Sequence, residues 1–156
     1  MIYQEIIPSL QLQPFIKNYL LFDTEFVPES FSIKPYPTRV EQALNFFVKG
    51  YIKSENVQTG EITKIAKNAL FGQQVERLNL HTISQPEFLM FMVVFQPGAM
   101  HRLLGYKSTE FTSIFCDAED VLSPELQYVN DRIGNSKSYP EMVGHVEHFL
   151  LNKLKT

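Results

Sequence analysis

The chain has 156 residues, 44% of them hydrophobic and 20% charged, and carries a formal net charge of −3. A chain of this size buries about 70% of its unfolded surface on folding, so it suits one packed domain and is not a largely disordered chain. Acidic residues are in slight excess, so no global field favours nucleic acid and this segment alone is not expected to bind DNA.

The amino terminus, Met1-Ile2-Tyr3-Gln4-Glu5, lacks the basic and apolar regions of a signal peptide, and Cys116 is the single cysteine; both predict a cytoplasmic location. Up to Cys116 the chain is a series of short β-branched and aromatic runs divided by Pro, Gly and Asn; only Tyr128, Tyr139 and Phe149 among the aromatics follow it. This part predicts strands over 3–7, 16–26, 31–34, 42–49, 51–53, 61–66, 69–71, 78–83 and 88–95. Gly50 can take positive φ between two apolar runs, Thr59-Gly60 can close a hairpin, and Gln85-Pro86 separates the last two strands. The sheet is therefore expected to be mainly antiparallel.

The run 88–95 is apolar at odd and even positions alike, which predicts a central strand covered on both faces. It is far shorter than the roughly twenty residues of a membrane-spanning helix. Two readings of its coverage stand open: sheet on one face and carboxy-terminal helices on the other, or a curled sheet whose inner face lines an apolar ligand cavity. Pro97-Gly98 then stops the strand, and a short helix is expected before Gly105.

After Cys116 the apolar period lengthens to about 3.6 residues. Ser123-Pro124-Glu125 offers an N-cap followed by proline, and Ser138-Tyr139-Pro140-Glu141 has the spacing of a capping box, so two helices are expected. The second presents Met142, Val146, Phe149, Leu150 and Leu154 along one stripe, able to dock on the sheet or on a second copy of the chain. The expected fold is α+β: a mainly antiparallel, curled, barrel-like β-sheet followed by carboxy-terminal helices. It forms one domain over 1–156, strand-rich over 1–95 and helical over 97–154.

The chemistry-bearing residues form no catalytic pattern. There is no G-x-S-x-G elbow, Cys116 has no histidine nearby in sequence, and no glycine-rich phosphate loop occurs, so neither an enzyme nor a nucleotide cofactor is expected. Glu141, His145 and His148 fall at i, i+4 and i+7 on one predicted helix, but a polar helix face gives the same spacing and no metal is expected. Asp117, Glu119 and Asp120 read as charge favouring a helix start.

Phe95-x-Pro97-Gly98, then Leu103-Leu104-Gly105, Ser108-Thr109-Glu110 and Asp120-Val121-Leu122, resembles the amino-terminal domain of bacterial AraC-type transcription regulators. Pro14-Phe15-Ile16 leading into Asn18-Tyr19, the stretch 37–50, Phe71-Gly72-Gln73 and the closing helix over 141–154 extend the likeness over nearly the whole chain. Ala99 stands where the family often has a second glycine, and Tyr19 lies near its usual tryptophan. The resemblance implies a barrel-like domain that senses a small-molecule effector, with a double helix-turn-helix DNA-binding domain expected after residue 156.

Ligand contacts are then expected from Tyr36, Arg39, Glu41, Phe46, Gln73 and His101. Arg39 would anchor an anionic ligand bidentately, or else pair locally with Glu41. The implied partners are an unknown effector, a second copy through the carboxy-terminal helix, and DNA only through the further domain; no membrane contact is expected. The alternatives are a stand-alone ligand-binding or interaction module and, less favoured by these residues, a small barrel enzyme.

Overall fold

The computed structural model describes residues 2–24, 33–36, 42–72, 78–83, 87–104 and 115–154, without the side chains of several residues within strands and short helices. The elements are β1 (Ile2–Ile6), β2 (Ile16–Thr24), β3 (Ile33–Tyr36), β4 (Ala43–Lys49), β5 (Tyr51–Asn56), β6 (Ile62–Lys64), β7 (Asn68–Phe71), β8 (Leu78–Ile83), β9 (Phe88–Phe95), α1 (Ala99–Leu104), β10 (Phe115–Asp117), α2 (Ala118–Val121), α3 (Leu126–Gly134) and α4 (Tyr139–Leu154). The described strands form two sheets, a six-stranded one in the order β1-β2-β9-β4-β7-β10 and a four-stranded one in the order β3-β8-β5-β6. Every pairing between them is antiparallel, as expected. The barrel-like curl does not close: among the described residues no ladder joins one sheet to the other.

β4 and β5 belong to different sheets, so the chain must turn sharply between them, and Gly50 does this with φ 78°. At the other hairpin Asn56 Oδ1 accepts from the backbone N–H groups of Gln58 and Thr59, at 2.9 and 3.1 Å, while Gly60 takes φ 73°. Gly98 also sits at φ 73°, and a Cβ built there would meet nothing within 4 Å. The cost of Gly98→Ala is therefore backbone strain alone, about 1–2 kcal/mol. Chemical denaturation should register that loss; an unchanged midpoint would contradict the left-handed turn.

The central strand is covered on both faces. Leu89, Phe91, Val93 and Phe95 belong to a large core shared with Tyr19, Leu44, Phe46, Leu70 and helices α1, α3 and α4. Phe88 and Met90 point the other way, into a second core with Ala43, Phe47, Ile52, Ile65, Ala69 and Phe71. The molecule is thus layered as helices, six-stranded sheet and four-stranded sheet, and period-two alternation assigns each residue of β4 and β9 to one layer or the other.

The stripe on α4 is used within the chain: Met142, Val146, Phe149 and Leu150 are all buried in the helix-side core. Of the two uses open to it, docking on the sheet is the one observed. Its start is capped as the sequence predicts, with the Glu141 N–H donating to Ser138 Oγ at 3.3 Å. The Glu141 carboxylate reaches back to the N–H of Lys137 at 3.0 Å, one residue further than the usual reciprocal bond. Ser123 closes a turn, accepting from the Glu125 N–H at 3.1 Å, and α3 begins after it at Leu126.

Candidate functional site

β4 places its odd residues Ala43, Asn45 and Phe47 toward the four-stranded sheet and its even residues Leu44 and Phe46 toward the helices. Phe46, expected to touch a ligand, is wholly buried on the helix side, its ring 6.4 Å from that of Phe91 and nearly perpendicular to it. The physical reason is the two-residue period of the strand. Its neighbours Asn45 and Phe47, not Phe46, face the second sheet.

Asn45 is the anomaly on that face. It is 0% exposed, and neither its Nδ2 nor its Oδ1 has a hydrogen-bond partner. Across the ladders it stands opposite Ala69 on one side and Met92 on the other. The core around it is Ala43, Phe47, Ile52, Ile65, Ala69, Phe71, Phe88 and Met90, with Phe22 and Met92 packed against it half-buried. Leaving a buried polar group unpaired costs about 1–3 kcal/mol, and buried side-chain polar atoms are nearly always paired. Within this layer the Asn45 amide leaves one donor group and one acceptor without a partner.

The remaining predicted residues are placed as follows. Tyr36 ends β3, with its backbone opposite Leu78, and its side chain lies outside the described residues. His101 lies in α1, likewise without a described side chain, and Arg39, Glu41 and Gln73 lie outside the described residues. None of these five is brought together with Asn45 by anything described. Asn45 is not among the residues expected from the sequence, because an amide in a strand stands out only once its burial and lack of a partner are known.

Behind the sheet two polar ties hold the helices. Asn130 of α3, 1% exposed, donates through Nδ2 to Asn68 Oδ1 at 2.7 Å and to the Phe47 carbonyl at 3.3 Å. Asn68 is itself fully buried, and its Nδ2 has no partner. On α4, Glu147 Oε2 accepts from the Tyr19 hydroxyl and from the Ser9 N–H, each at 2.9 Å. α3 is thus tied to β4, the strand that carries Asn45, and to its neighbour β7, and α4 to β2.

Burial, the bond to Glu147 and its negative charge hold the Tyr19 phenol protonated far above the usual tyrosine range. Burial and then a bond to Asp23 Oδ2 at 2.9 Å push the Tyr139 phenol up as well. A raised folded pKa means that the unfolded chain sheds these protons first, so this stability is present below about pH 10 and is lost as pH rises beyond it. The urea midpoint should fall steeply above about pH 10, and Tyr19→Phe should flatten the fall. A midpoint equally flat in both proteins would contradict the assignment.

Elsewhere, burial raises the Cys116 thiol, which disfavours a reactive thiolate. Asp117 Oδ1 caps α2 by accepting from the Glu119 N–H at 3.0 Å, the helix-start role expected of that acidic run. His145 lies 3.9 Å from Glu141 and His148 is 3.3 Å from Asn152, at the rim of an open groove of about 350 Å³ between α3 and α4. Among the described residues no three His, Cys, Asp or Glu side chains are grouped as a metal site, and no helix is long and apolar enough to cross a membrane.

No curated protein matches the chain in sequence. Among solved structures, HppE with cobalt(II) and Tris buffer aligns at a TM-score of 0.43 and 10% identity, over 60% of this chain and 52% of HppE. The putative ethanolamine utilization protein Q of Salmonella typhimurium aligns at 0.39 and 9% identity, over 61% of this chain and 68% of its own. EutQ of Clostridium difficile aligns at 0.38 and 11% identity, over 61% of each chain. The chain thus spans about half the length of HppE. A family model for a domain of unknown function matches residues 4–117, the strand-rich part that carries Asn45, and the chain belongs to that family, DUF6597.

Proposed function

We propose that this chain is the effector-sensing, amino-terminal domain of an AraC-type transcription regulator, acting by binding and not by catalysis. The observation that carries the binding reading is Asn45, a fully buried amide with both polar ends unused on an apolar face between two sheets. Besides Asn45, strand parity places one buried polar side chain of the described residues on that face, Ser54 of β5 beside Ile52. The order of the Phe95-x-Pro97-Gly98, Leu103-Leu104-Gly105 and Asp120-Val121-Leu122 motifs supports the regulator reading.

An effector biases such a regulator only by the difference in its affinity for two states. The ties from Asn130 and Glu147 supply a route by which a change in β4 or β2 alters the seating of α3 and α4. A second copy would meet the outer face of the helical pair, because the apolar stripe of α4 is turned inward. DNA would be read by a separate domain of the same cytoplasmic protein.

The test is chromatin capture from the source cells with an antibody raised against this chain. Discrete promoter fragments should be enriched, and replacing Asn45 by leucine in the natural gene should change their occupancy or the transcription they control. No enrichment over a control antibody would contradict the regulator reading.

A further inference from the structure

We infer that the ligand of the inter-sheet face is a small, uncharged, largely apolar molecule bearing a carboxamide, and that it reaches Asn45 by displacing the Met92 side chain. The inference rests on the binding reading above and adds the ligand's chemical class and its way in.

The class follows from what is unused. Asn45 offers an unpaired N–H donor and an unpaired carbonyl acceptor side by side. A carboxamide answers both at once through two parallel hydrogen bonds. A carboxylate would satisfy Nδ2 but set its negative charge against Oδ1, and an ester could only accept. The described neighbours Ala43, Phe47, Ala69, Phe71 and Met90 bring no charge to the layer, so none of them would compensate an ionic ligand.

The way in follows from the pattern of exposure. Asn45 is 0% exposed, so not even a water-sized probe touches it. Met92, directly opposite on β9, is only partly buried, as are Leu20 opposite Met92 and Phe22 opposite Met90 on β2. The cover over the amide therefore thins toward β2. Residues opposed across an antiparallel pair have Cβ atoms about 5 Å apart, so one methionine side chain separates Asn45 from the accessible side. Methionine has three rotatable bonds and repacks easily, so opening requires no movement of the strands. Such a site is closed when empty and becomes apparent when a ligand selects the open rotamer.

The test uses three probes of one size, benzamide, benzoate and methyl benzoate, titrated into the full nitrogen-15-labelled chain and followed through the side-chain amide signals. The Asn45 signal is identified by its loss in Asn45→Leu, a variant of similar volume that also removes the unpaired amide and is expected to fold with a raised melting temperature. Benzamide should shift the Asn45 amide and bind about tenfold more tightly than either other probe, a preference that Asn45→Leu erases. Met92→Ala should strengthen benzamide binding several-fold, because no side chain then has to move. Tighter binding of benzoate, or a benzamide preference that survives Asn45→Leu, would overturn the ligand class while leaving a binding module. Unchanged affinity in Met92→Ala would overturn the route. No binding of any probe at millimolar concentration would overturn this inference and leave the binding reading to the promoter-capture test.

Discussion

Replacing Phe91 by alanine should destabilise the chain by about 3–5 kcal/mol, the largest single effect expected here. Phe91 is fully buried at the middle of β9, between β2 and β4. Its ring lies 5.5 Å from that of Tyr19 and 6.4 Å from that of Phe46, so its removal opens a cavity and also strands two aromatic partners. Against the roughly 5–15 kcal/mol that holds a typical domain folded, this is a large share. Urea unfolding should show a lower midpoint with the slope nearly unchanged; a loss below about 1 kcal/mol would mean that the site collapses around the missing ring.

The second large effect concerns the tie between helix and sheet. Asn130→Leu should cost about 2–3 kcal/mol, because it leaves Asn68 buried with neither end of its amide paired and frees the Phe47 carbonyl. Replacing Asn130 and Asn68 together by leucine should restore much of that loss, since two apolar groups leave no side-chain amide stranded. Equilibrium unfolding of the two single variants and the double variant gives the coupling directly. A double variant as unstable as the sum of the singles would show that the two amides act separately. In the stable double variant, probe binding at Asn45 should persist while α3 loses its polar link to the strands beside it.

The sequence carries the elements and their order along the chain more clearly than the site. β8 and β9 were legible to the residue, because runs bounded by Gln85-Pro86 and Pro97 have few alternatives. The stripe on α4 was legible for the same reason: a 3.6-residue period names one face. β10 was missed because three residues, Phe115–Asp117, give no periodicity and exist as a strand only by pairing with β7. That strand boundaries elsewhere differ by a few residues reflects the same dependence on tertiary pairing.

The site was less legible, because local sequence does not say which face of a strand meets which layer. Phe46 is among the expected ligand contacts, and parity puts it among the helices beside Phe91. Asn45 is not among those contacts, since an amide in a strand is unusual only when its burial and lack of a partner are known. The ties of Asn130 to Asn68 and of Glu147 to Tyr19 span 62 and 128 residues, so only the folded chain brings them together.

For a chain proposed as the sensing part of a DNA-binding regulator, the intact mass of the natural protein is the most direct test. Captured from its source with an antibody against this segment, the protein should be far heavier than 18.1 kDa and carry a DNA-binding domain on the same chain. A species at 18.1 kDa would contradict the regulator reading.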